Sequence, residues 1–251
     1  MRILITGASR GIGLEFVRQY APLGHEVLAT CRKPHDADEL EELRARHPNV
    51  RILELDVVNA DSVRECAAEA GARGLDLLLN NAGHYGRSTG DLDTVDPLDW
   101  MQMFEVNSIG PLQVTRALLP ALRRGTAPKV VGVSSVKGSI TRNHMGASYQ
   151  YRSSKSAFNA VLRSLAVDLR PQGISVFAVS PGWVDQGEDV TGGLGFDDRL
   201  RKARKFVAEF GGSSARVSLQ ESVSRMTTLI DRLADTDSGG FFDHLGRPLP
   251  W

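Results

Sequence analysis

Two rhythms of apolar and polar positions alternate along this chain. Short apolar runs fall at residues 2–6, 26–31, 51–55, 75–80, 129–134 and 174–180. "LDLLL" and "KVVGV" are apolar on both faces, as expected of parallel strands buried between two helix layers. Between the runs, stretches near 12–22, 36–46, 60–70, 97–122 and 149–170 carry helical patterns. In the last of these, Phe158, Val161, Leu162, Leu165 and Leu169 form one stripe, and "RPQG" ends it. Such alternation predicts an α/β fold of Rossmann type. That is a doubly wound parallel sheet of about seven strands with helices on both faces, in a single domain over 1–251. Ligands of such sheets bind beyond the carboxyl ends of the strands.

Composition narrows the function classes. Thirty basic and thirty acidic side chains cancel, so no global charge points to nucleic acid or an anionic membrane. Cys31 and Cys66 show neither metal-ligand spacing nor a disulfide framework, which suits a reducing compartment. "RILIT" reads as a strand from Arg2, leaving no room for a signal peptide. No apolar run approaches the roughly 20 residues of a membrane span. The expectation is a soluble, cytoplasmic protein.

The first candidate chemistry lies where the first strand hands over to the first helix. "TGASRGIG" (6–13) places glycines at 7, 11 and 13. They let the backbone turn sharply and approach a ligand, and the helix N-terminus then offers free N–H groups to a dinucleotide pyrophosphate. The spacing is G-x-x-x-G-x-G rather than G-x-G-x-x-G. At the end of the second strand, "LATCRKP" supplies Arg32 and Lys33, with no acid before Asp36. An arginine there suits a ribose 2′-phosphate, and Arg10 offers a second cation, so NADP(H) is expected ahead of NAD(H). The bland alternative is a pair of solvated surface arginines.

The second candidate is "YQYRSSK" (149–155). Tyr151 and Lys155 stand at i and i+4 on one helix face, whereas Tyr149 is six positions from the lysine and on the wrong side. A cation about 4 Å from a phenol, at an effective dielectric of about 20, favours the phenolate by roughly 4 kcal/mol. That is about three pKa units. Taken alone, the pair also fits an ordinary helix surface.

With "TGASRGIG", "LNNAG" (79–83), "VNS" (106–108), "VSS" (133–135) and "YRSSK" in this order, nearly the whole chain resembles the short-chain dehydrogenase/reductase family. "ATCR", "YRSSKSAFN" and "GGFFDHLGRPLPW" are similar to its C-factor and Sniffer-type carbonyl reductase branch. The resemblance implies that Tyr151 is the general acid or base and that Lys155 lowers its pKa and holds the nicotinamide ribose. It implies that Ser135 hydrogen-bonds the substrate oxygen and that Asn107 helps position a relay water. Cofactor contacts are implied for Gly7, Ser9, Arg10, Gly11, Ile12, Gly13 and Arg32, and for Asp56 and Val57 near the adenine. They are implied as well for Asn80, Ala82 and Gly83, with Asn80 also bracing the sheet, and for Tyr151, Lys155, Pro181, Gly182 and Val184. Ser139, twelve positions before Tyr151, rivals Ser135 at sixteen; an enlarged loop accounts for the longer interval.

The chain also departs from the family pattern. Gln186 stands where relatives commonly place a nicotinamide-contacting threonine, and Thr191 is nearby in sequence. A stretch near 187–218 corresponds to the family's substrate lid. Within it, "FDDRLRKARKFVAEFGG" has a helical apolar stripe and a basic face, capped by Asp197 or Asp198. His84 and His144 are expected as pocket or surface residues rather than metal ligands, and Trp183 near the nicotinamide. The leading expectation is an NAD(P)H-dependent oxidoreductase interconverting a small-molecule carbonyl and an alcohol. Its competitor is a C-factor-like signalling or interaction protein that uses the nucleotide fold as scaffold or sensor. A serine hydrolase is disfavoured because "GVSSV" lacks the G-x-S-x-G turn. The resemblance leaves monomer, homodimer and homotetramer all open.

Overall fold

The computed structural model describes residues 1–86, 92–184 and 217–251. Its strands are β1 (Arg2–Ile5), β2 (Glu26–Cys31), β3 (Val50–Glu54), β4 (Leu77–Asn80), β5 (Lys129–Val133), β6 (Ser175–Ser180) and β7 (Phe241–Asp243). They form one sheet in the order β3-β2-β1-β4-β5-β6-β7, and every neighbouring pair is parallel. Seven strands and a doubly wound order agree with the expected fold class. The order reverses between β1 and β4, which opens the crevice where such sheets take ligands.

The helices are α1 (Gly11–Tyr20), α2 (Asp38–Arg46), α3 (Ala60–Ala70), α4 (Pro97–Phe104), α5 (Gly110–Leu122), α6 (Tyr149–Leu169) and α7 (Leu219–Arg232). Alternate strand positions feed two cores. Ile3, Ile5, Leu77 and Leu79 pack with Phe16, Val17, Leu40, Met226 and Ile230, under α1, α2 and α7. Leu4, Leu78 and Val130 pack with Val63, Cys66, Leu118, Phe158 and Leu162, under α3, α5 and α6. Period-two alternation on a two-sided core explains why the strands read as continuous apolar runs. Cys31 and Cys66 are both free and buried, and they lie in different cores.

The expected single helix over 97–122 is divided. A π-helical turn, Glu105–Ile109, joins α4 to α5, with the Gly110 N–H donating to the Glu105 carbonyl five residues back. Pro111 explains the slip, because it has no N–H to direct at the Asn107 carbonyl in α-helical register. At the other end of the crevice, Val184 and Val217 form a parallel bridge, and Val217 N–H donates to Trp183 O at 3.0 Å. Among the described residues, no helix is long and apolar enough to cross a membrane.

Candidate active site

The nucleotide turn is held by groups from two strands. Gly7 has φ +66°, and a Cβ on it would lie 2.9 Å from Ala82 Cα. A Cβ on Gly13 would lie 2.2 Å from the Gly7 carbonyl oxygen, so α1 can start this close to β1 only without a side chain there. Thr6 and Asn81, which the motif reading did not single out, fasten the turn across the switch point. Asn81 Nδ2 donates to Thr6 O at 2.9 Å and Gly7 O at 3.1 Å. Thr6 Oγ1 accepts from the N–H groups of Asn81 and Ala82 at 3.0 and 2.9 Å. The doubled asparagine of "LNNAG" was the available signal. α1 begins at Gly11 with Arg10 as its cap residue, and no side chain caps its first N–H groups. Those donors are open to an anion. Ser9 and Ile12 flank the turn half-buried, and Arg10 is exposed.

At the end of β2, Arg32 is exposed and Lys33 faces Asp36 at 3.5 Å. Among the described residues, the guanidinium groups of Arg10 and Arg32 have no ion-pair partner. After β3, Asp56 Oδ1 accepts from Val58 N–H at 3.2 Å, and Val57 is buried. Asn80 turns its amide away from the crevice and donates to Thr115 Oγ1 in α5 at 3.0 Å. Ala82 and Gly83 face the glycine turn and the α6 lysine respectively. After β6, Pro181 O accepts from Ser222 Oγ at 2.6 Å, and Gly182 at φ +81° lies against the His244 ring. Val184 ends this segment at its bridge to Val217. Gln186, Thr191 and the basic helix expected within 187–218 lie outside the described residues, apart from 217 and 218.

Ser135, Tyr151, Lys155 and Asn107 converge from three elements. Ser135 follows β5 and starts a short turn, its Oγ accepting from Lys137 N–H at 3.2 Å. Its hydroxyl also lies beside the Tyr151 phenol and acts to lower the phenol's pKa. Its rival, Ser139, is buried and bonds Arg142 N–H and Trp251 O at 3.2 and 3.4 Å, away from the phenol. Tyr151 and Lys155 lie on the inner face of α6, whereas Tyr149 is exposed. Lys155 is 4 % exposed and donates to Val133 O at 3.0 Å. Asn107, on the π-turn, is fully buried. Its Oδ1 accepts from His84 N–H at 2.7 Å, and its Nδ2 donates to His84 O at 2.8 Å and Ser154 Oγ at 2.9 Å. Asn107 and Lys155 meet under Gly83, where a Cβ would lie 3.5 Å from Asn107 Oδ1 and 3.8 Å from Lys155 Nζ. His84 itself faces Asp99, Nε2 to Oδ1 3.1 Å, while His144 is exposed.

One expectation from the helical spacing is corrected. Tyr151 is not pulled down by Lys155: burial, then the neighbouring Tyr85, push the phenol above its ordinary value, and the Ser135 hydrogen bond only partly offsets them. The ammonium sits 5.9 Å from the Tyr151 ring centroid and is drawn to the β5 carbonyl. Burial lowers Lys155 itself to about 8. The spacing located the pair, but desolvation governs both groups.

Two residues absent from the expected set complete the cluster. Tyr85 packs against Tyr151 with ring centroids 4.5 Å apart and ring planes tilted by 47°. Lys137 Nζ donates to Tyr85 Oη at 2.7 Å and lies 6.0 Å from the Tyr151 ring centroid. "VKG" carried no signal for this, because the contact depends on where two loops meet.

Comparison with known proteins places the sequence and the fold among relatives. C-signal of Myxococcus xanthus is 37% identical over 177 residues, covering 70% of this chain and 93% of that protein. An uncharacterized oxidoreductase of Schizosaccharomyces pombe is 30% identical over 252 residues, covering 98% of this chain and 96% of its own. Among solved structures, an NADPH-bound carbonyl reductase from chicken fatty liver superposes with a TM-score of 0.84 at 34% identity, over 100% of this chain and 98% of that one. Carbonyl reductase Sniffer of D. melanogaster gives 0.84 at 32% identity, over 100% and 99%. A profile of the short chain dehydrogenases matches residues 1–191, and this chain belongs to that family.

Proposed function

We propose that this oxidoreductase is an NADP(H)-dependent carbonyl reductase in which Tyr151 is the proton donor. The observation that carries this reading is the meeting of Ser135, Tyr151 and Lys155 beyond the strand ends, beside the glycine turn. The uncapped start of α1 and a turn that admits no extra Cβ fit a dinucleotide pyrophosphate. Arg10 and Arg32, without ion-pair partners, fit a 2′-phosphate between them. The chicken enzyme, 34% identical and described with NADPH, supports the same assignment. When bound, the nicotinamide supplies the hydride.

The protein supplies position and the proton. The Ser135 hydroxyl and the Tyr151 phenol lie beside each other, so that both would donate to one substrate carbonyl oxygen. A raised phenol pKa keeps Tyr151 protonated at neutral pH, the form needed to donate as negative charge grows on that oxygen. Lys155, at about 8, is mostly charged there, and its ammonium near Gly83 would hold the nicotinamide ribose. Asn107 binds the His84 backbone and Ser154 through its side chain, fixing the loop after β4 against α6. A relay water would therefore use its main-chain carbonyl, at which Pro111 directs no N–H.

Equilibrium binding of NADPH and NADH, followed by tryptophan fluorescence, tests the cofactor assignment. NADPH is expected to bind about tenfold or more tightly, a margin of about 1.4 kcal/mol, and Arg10→Ala with Arg32→Ala to erase it. Binding of neither nucleotide overturns the reading. Tyr151→Phe is expected to keep NADPH binding and lose about 10²–10⁴ in carbonyl turnover.

A second reading, a signalling or interaction protein built on the same scaffold, rests on the 37% identity with C-signal. A biological activity that survives Tyr151→Phe would favour it.

A further inference from the structure

We infer that Lys137 makes this site select carbonyl substrates that carry an anionic group, of the carboxylate class. The inference rests on the carbonyl reductase reading and deepens it.

Lys137 sits two residues past Ser135, in the turn after β5. The residue is half-buried, and its ammonium donates to two neutral oxygens, Tyr85 Oη at 2.7 Å and Ser148 Oγ at 3.4 Å. Among the described residues it has no carboxylate within ion-pair distance. An ammonium has three donors and no acceptor, and a partly desolvated charge is normally matched by an opposite one. Among the described residues the opposite charge is missing beside the reacting phenol.

The Tyr151 ring has two ammonium groups at nearly equal range, Lys155 at 5.9 Å and Lys137 at 6.0 Å from its centroid. They differ in access. Lys155 is 4 % exposed and tied to the Val133 carbonyl. Lys137 is reached from solvent past Tyr85, which is 56 % exposed. The segments around Lys137 are the loop after β4, the turn after β5 and the residues before α6. The loop after β4 also carries Ala82 and Gly83 of the expected cofactor site, but the anionic groups of the nucleotide are its phosphates, which the glycine turn and the end of β2 would hold, and neither is among these segments. An anion held here therefore comes from the substrate rather than from the nucleotide.

The backbone around its second partner is under tension. Ala147 and Ser148 have φ +53° and +52°, left-handed values that non-glycine residues seldom adopt. Such strain clusters at ligand sites. At this place it aims the Ser148 hydroxyl at the Lys137 ammonium.

The test compares 4-carboxybenzaldehyde with its methyl ester as substrates of wild type, Lys137→Met and Lys137→Arg. Wild type is expected to favour the acid in kcat/KM by about tenfold or more, in line with one charge-assisted hydrogen bond. Lys137→Met should lower kcat/KM for the acid at least about tenfold more than for the ester, and Lys137→Arg should recover most of the preference. Calorimetric binding of the same two aldehydes to NADP⁺-saturated protein repeats the comparison without turnover. Absence of any preference for the acid, or an equal loss on both substrates in Lys137→Met, overturns the inference and leaves the reductase reading intact. Failure to bind either nucleotide overturns that reading and the inference with it.

Discussion

Burial acts in opposite directions on Tyr151 and Lys155, and under the proposed mechanism both outcomes favour the reducing direction at neutral pH. The phenol is kept protonated and the lysine lowered to about 8. The kcat/KM for carbonyl reduction, which reports groups of the free enzyme, is therefore expected to fall as pH rises through about 8, where Lys155 loses its charge. A flat profile to pH 10 would contradict that assignment. Stability should respond in the opposite sense. Below pH 8 the lysine is charged in both folded and unfolded states, and the fold bears the whole desolvation cost. Between about 8 and 10.5 only the unfolded chain still holds the proton, so stability rises with pH. Lys155→Met should accordingly raise the melting temperature at pH 7, with a gap that narrows above pH 8. The i, i+4 spacing made this pair visible in the sequence. It did not show where the ammonium points, because its partner, Val133 O, lies 22 positions earlier in a neighbouring strand.

Single elements were legible to the extent that their patterns were local. The six apolar runs became β1 to β6 within a few residues, since two-sided burial marks each strand along its own length. β7 is only Phe241–Asp243, too short for a pattern, and α7 buries a narrow stripe of Val223, Met226 and Ile230 in an otherwise polar helix. The π-turn was hidden for a different reason: its cause is one missing N–H at Pro111, within a continuous helical rhythm. The staple between β1 and β4 is also invisible to periodicity, yet it sets the shape of the nucleotide turn. Thr6→Val keeps the shape of the side chain but removes the acceptor for the Asn81 and Ala82 N–H groups. A loss of about 2 kcal/mol is expected, with a melting temperature lower by about 5 °C and weaker NADPH binding. An unchanged melting curve would show that water replaces the hydroxyl at no cost.

At the scale of the whole molecule, the doubly wound order gathers every expected site segment to one rim, because parallel strands all end on the same side. The packing also joins distant parts of the chain. α7 lies on α1, with Gln19 Nε2 donating to Gln220 O at 3.0 Å, so the helix that opens the nucleotide turn is braced by the last helix. Between these two regions, Val184 and Val217 are paired, and the chain leaves and returns at a single point. A stretch whose two ends already touch adds little loop-closure entropy, which grows only slowly with length. The two valines are therefore an anchor: a change in the length of chain between them alters the loop-closure cost only slightly. Inserting a short Gly-Ser segment between Val184 and Val217 should shift the melting temperature by only a few degrees, on the order of 1 kcal/mol. In evolutionary terms, length at this place can vary while the strand order stays fixed.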